Sequence, residues 1–526
     1  MNHWKEAAAS REAATSREET PDALSEHYGT NLSRFRELLG TSADLVIREF
    51  TIDAEKVRQA AIIYLENLVA KNRIHEDILR PLTVNAATIG ARNIKPNQIT
   101  AFLQSQLVTV SPVEQERTFS KAVDRIFSGD TILMIEGINE AFIFATRGWA
   151  QREVGKPESE ETVRGPREGF VETLGTNVAL LRRRIHHSDL MVEAHQVGQK
   201  TKTAINIVYL KGVVNEKIVA EIRRRLARIQ TDGILGSGYI EQLIGDAPIS
   251  IFSTTSYSER PDAVGAKILE GRAAILIDGS PEVLTVPALF IESFQNPDDY
   301  NSHPFYATLI RWVRYIAFAV SIFAPAVYIA LASYNQELIP TPLFITMVAG
   351  AEVTPYPTFI EVVIIGLLFE IFREAGIRFP RPYGQGIIFA VAFVLAQAPV
   401  TMGLVGEATV VVVALTAMAS LVVPKQADAS ILIRLLLAIL ASVLGAYGIL
   451  LGLLGVLAHL VSLRSFGVPY LAPIAPFNIR DFKQDVIQRT PLWAMLFRPR
   501  TIGWHDPKRQ KSELTPAPPD SSEEGQ

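Results

Sequence analysis

Hydrophobic positions follow two regimes along this chain. Between residues 44 and 303, short β-branched runs alternate with stretches of helical period: "DLVIREFTI", the helix-like "AEKVRQAAIIYLENLVAKN", then the pair "TILMIEG" and "EAFIFATRG". A polar break, "REVGKPESEETVRGPREG", separates these from "AINIVYL", the helix-like "EKIVAEIRRRLARIQ" and the hairpin "AAILIDGSPEVLTVPA", which turns at Asp278-Gly279. This pattern predicts two α/β lobes, at 41–150 and 151–303.

The second regime starts at Pro304. "LIRWVRYIAFAVSIFAPAVYIALASY" exceeds the about 20 apolar residues that carry a helix across a bilayer, and Arg311 and Arg314 stand at its start. "TFIEVVIIGLLFEIFREAG", "GIIFAVAFVLAQAPVTMGLV" and "ATVVVVALTAMASLVV" follow, then an apolar run from Ala429 to Leu463. At 1.5 Å per residue that run reaches about 50 Å, too long for one upright span, and a hairpin near Gly445 or Gly448 resolves it. The predicted fold class is an α/β two-lobed soluble N-terminal region followed by an all-α polytopic membrane domain at 304–465. A C-terminal segment occupies 466–507, and the polar ends, 1–40 and 508–526, read as disordered tails.

Charge bias in the loops sets an orientation. The connection from Tyr334 to Pro357 has Glu337 and Glu352 but no Lys or Arg, whereas "FEIFREAGIRFPRPYGQ" carries Arg373, Arg378 and Arg381. The positive-inside bias puts the latter in the cytoplasm, together with the tail bearing Arg498, Arg500, Lys508 and Arg509. Both termini inside imply an even number of spans, and six fits. The helix of Glu361 and Glu370 is the least apolar member; a spanning arrangement is favoured over an interfacial one, because it keeps the arginines inside.

Composition removes several function classes. Cysteine is absent, which excludes disulfides, thiolate metal sites and cysteine nucleophiles. The net charge is −4, and acidic residues interleave with the "RRR" runs at Arg182 and Arg223, so nothing indicates a nucleic-acid partner. No Ser/His/Asp set or paired carboxylate suggests an enzyme, and no cofactor or metal is expected. The glycines of "GILGSGYI" lack both the dinucleotide spacing and the P-loop lysine, and read as a helix-terminating loop.

Three constellations remain. Thr409, Val413, Thr416 and Ser420 fall at i, i+4, i+7 and i+11 on one helix face. In an oligomer, such hydroxyl rings around Val413 make a wettable path with an apolar constriction; alternatively, small hydroxylated residues pack helix on helix. Glu370, Arg373 and Glu374, with Arg378 and Arg381 beyond them, form a cytoplasmic collar that either fixes topology or lines an inner vestibule. Arg164, Gly165, Arg167 and Gly169 of "VRGPREGF" fit an anion cradle or an interlobe turn.

Several separate stretches, in order and spacing, resemble the A subunit of the GerA family of spore germination receptors: "SGDTILMIEG", "TRGWAQREV", "VRGPREGFVETLGTNVALLRRRI", "TDGILGSGYIEQLI", "ERPDAVGAKILEGRAAILIDGSPEVLTVPALFIESFQNPDDY" and "FREAGIRFPRP". The resemblance extends from Asp44 to about Trp504. It implies a multi-pass protein of the spore inner membrane, embedded in lipid, that works with a transporter-like B subunit and a lipoprotein C subunit. It also implies a homo-oligomeric, nutrient-gated path for monovalent cations that triggers ion release. A secondary transporter and a membrane-anchored signalling scaffold are the alternatives. The chain departs from the family's usual pattern at "PYP", Pro355 to Pro357, and at "AVAFVLAQAP", Ala390 to Pro399.

Overall fold

Two sheets, each buried on both faces, organise the N-terminal half of the computed structural model, which describes residues 22–40, 42–52, 59–85, 113–148, 157, 160, 162, 164–351, 354–378, 397–502 and 506–510. In the first lobe, α1 (Tyr28–Leu39), which buries Leu32, Phe35 and Leu39 and so corrects the reading of that part of 1–40 as a disordered tail, precedes β1 (Leu45–Thr51) and β2 (Gln59–Leu65). Then come β3 (Glu114–Glu116), α2 (Phe119–Phe127), β4 (Thr131–Ile135) and β5 (Ala141–Phe144). The strands lie in the order β1-β2-β4-β5-β3, every pair antiparallel. Alternation along β2 sends Ala61, Ile63 and Leu65 under α1 and α2, and Ala60 and Ile62 to the opposite face, against Ile74, Ile78 and Leu82.

β2 corrects the sequence reading of "AEKVRQAAIIYLENLVAKN" as helical. A strand covered on both faces shows no polar alternation, so its apolar run carries no period to distinguish it from a helix.

The second lobe repeats the plan: α3 (Leu174–Arg182), β6 (Leu190–Val197), β7 (Thr203–Leu210), an insertion of α4 (Glu216–Ala227) and α5 (Ser237–Ile244), then β8 (Ser256–Ser258), α6 (Pro261–Leu269), β9 (Ala273–Ile277) and β10 (Val283–Val286). Its order, β6-β7-β9-β10-β8, is that of the first lobe shifted by five. β9 and β10 pair through the turn at Asp278-Gly279, where Gly279 takes φ 82°, a left-handed angle that suits glycine. "GILGSGYI" proves to start a helix: Gly236 is the residue before α5. Phe466, Val468, Ala472, Val486 and Ile502, from beyond the helical region, complete the core of this lobe.

The lobes are clamped together by a buried ion pair. Arg182 Nε and Nη2 donate to the two carboxylate oxygens of Asp44 at 2.9 Å each, Nη2 also reaches Ser42 Oγ at 2.7 Å, and Ala43 N donates to Val192 O.

Pro304, at a first helical position where a missing N–H costs nothing, opens α7 (Pro304–Ser333). α8 (Thr341–Ala351), α9 (Thr358–Arg378), α10 (Glu407–Leu421) and α11 (Ala427–Ser462) follow. Small residues let them approach closely: Ala326 and Ala330 of α7 and Ala429, Ala438 and Ala441 of α11 share one core with Val362 and Val413. α11 is two arms. Gly445 breaks it at φ 59°, ψ −140°, and the chain folds back so tightly that a Cβ on Gly452 would stand 2.4 Å from Leu437 Cδ2. The hairpin expected near Gly445 is therefore present. Among the described residues, Pro304–Ser333 and Pro424–Ser462 are long and apolar enough to cross a membrane by length and composition. Most of the "GIIFAVAFVLAQAPVTMGLV" stretch, residues 386–396, lies outside the described residues.

Candidate functional site

Polar side chains gather at three levels of the helical bundle. The lowest is its junction with the second lobe. Arg311, fully buried, reaches Asp485 Oδ1 at 2.9 Å and Asp299 Oδ2 at 3.2 Å, while Arg314 holds Asp299 at 2.7 and 2.9 Å. Tyr300 OH donates to Asp485 Oδ2 at 2.7 Å. Burial pushes the Asp485 carboxyl up and Arg311 opposes the shift; burial likewise holds the Tyr300 hydroxyl protonated. The arginines that resemble topology flanks in the sequence thus bind the first long helix to the soluble region.

The same lobe grips the bundle twice more. Lys425, between α10 and α11, pairs with Glu160 at 2.8 Å, and Gln426 Nε2 donates to Ser293 Oγ at 2.7 Å. Burial alone would raise the Glu160 carboxyl, but Lys425, with Ser258 and Lys267, outweighs it and the group sits below its ordinary value. In the last turn of α11, His459 Nε2 lies 2.8 Å from Ser250 Oγ.

At the middle level, Glu370 of α9 meets Arg434 of α11 at 2.6 Å and its own Arg373 at 3.0 Å. The i, i+3 contact is the one expected of the collar. Arg434 was not foreseen, because the pair is 64 residues apart in sequence. Glu374 is exposed, Arg378 ends α9, and Arg381 lies outside the described residues.

At the far end, Tyr334 OH donates to Ser442 O at 2.7 Å, beside the bend of α11. There Glu361, 4% exposed, accepts from Thr409 Oγ1 at 2.8 Å and from Gly406 N at 3.1 Å, so a carboxylate from α9 caps the N-terminus of α10. Tyr328 OH stands 3.1 Å from Thr409 Oγ1. This cluster borders a cleft of about 1020 Å³ whose wall includes Met347, Tyr356, Glu407, Val411 and Leu415.

The four residues read as a pore-lining face do share one side of α10, and that side points into the bundle. Thr409, Val413, Thr416 and Ser420 are all buried; Thr416 Oγ1 donates to Val412 O and Ser420 Oγ to Ala417 O. Val411, Leu415, Met418 and Leu421 face outward instead. In the "VRGPREGF" turn, Arg164 N donates to Asp298 Oδ1 at 3.4 Å, and Arg260 Nη2 donates to Pro166 O at 3.1 Å. Gly165, at φ +133°, lies against Asn301, Arg167 is exposed and Gly169 buried. The turn docks on the residues leading into α7.

Residues 33–501 match the family model of the Bacillus/Clostridium GerA spore germination protein. The chain is 39% identical over 502 residues to spore germination protein KA of Bacillus subtilis (strain 168), covering 95% of this chain and 91% of the relative. It is 36% identical to the uncharacterized membrane protein YfkQ of the same organism, covering 91% and 92%. Among solved structures, the N-terminal domain of the A subunit of the Bacillus megaterium spore germinant receptor GerK3 is 34% identical, with a TM-score of 0.41, over 51% of this chain and 97% of that one. The chain belongs to the GerA family of spore germination proteins, as its sequence motifs indicated.

Proposed function

We infer that this chain is the A subunit of a spore germinant receptor, held in the spore inner membrane by a polytopic helical bundle, with both lobes on the cytoplasmic side. The observation that carries the membrane reading is the inverted polarity of the bundle. Its ionic residues Glu361, Glu370 and Arg434 face inward, while Leu432, Leu436, Ile439, Val443, Leu450, Leu454 and Val461 of α11 face out. Exposed apolar surface on that scale is a burden in water and the ordinary state in lipid.

On this reading the chain assembles with copies of itself and with the B and C subunits, and nutrient binding on a partner opens a path for monovalent cations. The closed state has the hydroxyl face of α10 packed against α7. Opening turns Thr409, Thr416 and Ser420 toward the path, with Val413 as its apolar constriction. Val413→Ala loosens that packing and is expected to give germination, or ion leak, at less nutrient; unchanged nutrient dependence at normal abundance refutes the pore assignment.

The cleft beside Glu361 favours a second reading, a secondary transporter with a carboxylate at its binding site. Reconstituted receptor separates the two: unitary current steps support conduction, and saturable, proton-coupled solute flux supports transport.

A further inference from the structure

Helix α5 has two apolar sides, and one of them has no cover among the described residues. Ser237, Ile240 and Ile244 are buried, while Tyr239 and Leu243, four residues apart on the other side, are each 50% exposed. Leu235 just before the helix is 72% exposed, and the loop after it presents Ile249 at 97% and Ile251 at 38%. Single apolar side chains on a wet surface are ordinary; a ridge from Leu235 to Ile251 is not.

The position of the ridge identifies what covers it. Its loop is fixed to the last turn of α11: Ser250 Oγ bonds His459, the Phe252 ring lies 6.1 Å from the imidazole, and Asp246 Oδ2 accepts from Phe466 N at 2.6 Å. In the same turns Leu454, Leu457 and Val461 point outward. The ridge therefore continues, on the soluble lobe, the apolar outer surface of the bundle. Beside Leu243 opens a cleft of about 420 Å³ lined by Arg224, Arg225 and Arg228. Arg225 is engaged by Glu221, Asp246 and the Ile244 carbonyl, whereas Arg224, paired with Glu221 at 2.6 Å, and Arg228 are exposed.

We propose that α5 and the loop to Ile251 form a membrane-surface element, with Tyr239, Leu243 and Ile249 seated in the headgroup layer and Arg224 and Arg228 facing anionic phospholipid headgroups. Tyrosine at the interface, apolar side chains below it and arginines beside it are the combination that binds such a surface. The proposal rests on the membrane-spanning reading given above.

The chain has no cysteine, so single labels go where they are wanted. Full-length chain carrying a spin label at Leu243→Cys or Ile249→Cys is placed in lipid nanodiscs of phosphatidylcholine with or without phosphatidylglycerol. Leu436→Cys, outward on α11, and Lys200→Cys, in the exposed β6–β7 turn, serve as references. Access to oxygen, which partitions into lipid, is compared with access to a nickel chelate, which stays in water. The oxygen-to-nickel ratio at 243 and 249 is expected to be several-fold above that at 200 and to approach that at 436. Arg224→Gln/Arg228→Gln lowers the ratio at 243 only in discs with phosphatidylglycerol. Water-like ratios at 243 and 249, with 436 still in lipid, overturn the proposal and leave the spanning reading intact; a water-like ratio at 436 removes both. Exclusion of both probes from 243 and 249 assigns the ridge to a second copy or another subunit, and overturns the proposal as well.

Discussion

Replacing Arg182 by Met tests whether the two lobes behave as one body. The change keeps most of the side chain's volume and removes both bonds to Asp44, which is itself 3% exposed and retains, among the described residues, Ser42 Oγ at 2.6 Å as its one side-chain partner. Breaking a buried ion pair from one side costs roughly 3–5 kcal/mol, because the remaining charge stays out of water without its partner. For folding units of this size each kcal/mol lowers the melting temperature by about 2–4 °C, so Arg182→Met melts on the order of 10 °C below the parent. Asp44→Asn in the same background removes the stranded charge and is expected to recover more than half of the loss. The assay is thermal unfolding of full-length protein in detergent, followed by proteolysis of the soluble region, for the parent, both single variants and the double. A cost under about 1 kcal/mol for Arg182→Met, or additive single effects, refutes the reasoning, since residues sharing one buried network must couple.

Arg434→Gln leaves Glu370 inside the bundle with Arg373 as its one remaining cation among the described residues and lowers the melting temperature of the purified chain; adding Glu370→Gln recovers part of the loss, and strictly additive effects contradict the pairing. Gly445→Ala puts a Cβ 3.0 Å from the Tyr334 side chain at backbone angles that non-glycine residues avoid, which costs about 1–3 kcal/mol and shows as a lower yield of monodisperse protein. Glu292, 8% exposed, pairs with Lys267 at 2.9 Å and Arg272 at 2.8 Å; burial opposes its ionisation, but the two cations hold the carboxyl at about 2, against an ordinary 4.5. A depressed carboxyl stabilises the fold above its ordinary value and loses that contribution as pH falls toward 2. Glu292→Gln is therefore expected to unfold with less acid sensitivity between pH 4.5 and 2, by on the order of 3 kcal/mol, measured by fluorescence melts across that range.

Local chemistry was legible in the sequence wherever neighbours in the chain decide it. The hairpin turn at Asp278-Gly279, the break at Gly445 and the Glu370–Arg373 contact all follow from residues within a few positions of one another. A stronger signal went unread. "TILMIEGINEAFIF" and "AAILIDGSPEVLTV" match position for position, with Gly137 at φ 80° where the second has Gly279 at 82°, and this is the trace of one lobe plan used twice. β2 was misread because burial on both faces erases its period. The spacing of Thr409, Val413, Thr416 and Ser420 gives a common face but not its direction, which depends on Glu361 and Tyr328 from other helices. Arg182 and Asp44, 138 positions apart, belong to the same class of contact: only the fold introduces them.

Three helix ends converge on the second lobe, through Arg311 at the start of α7, Lys425 between α10 and α11, and His459 at the end of α11. A body pinned at one point swivels; pinned at three, it has no swivel left. A tilt of that lobe is therefore expected to displace all three ends in concert, as a swashplate drives its rods.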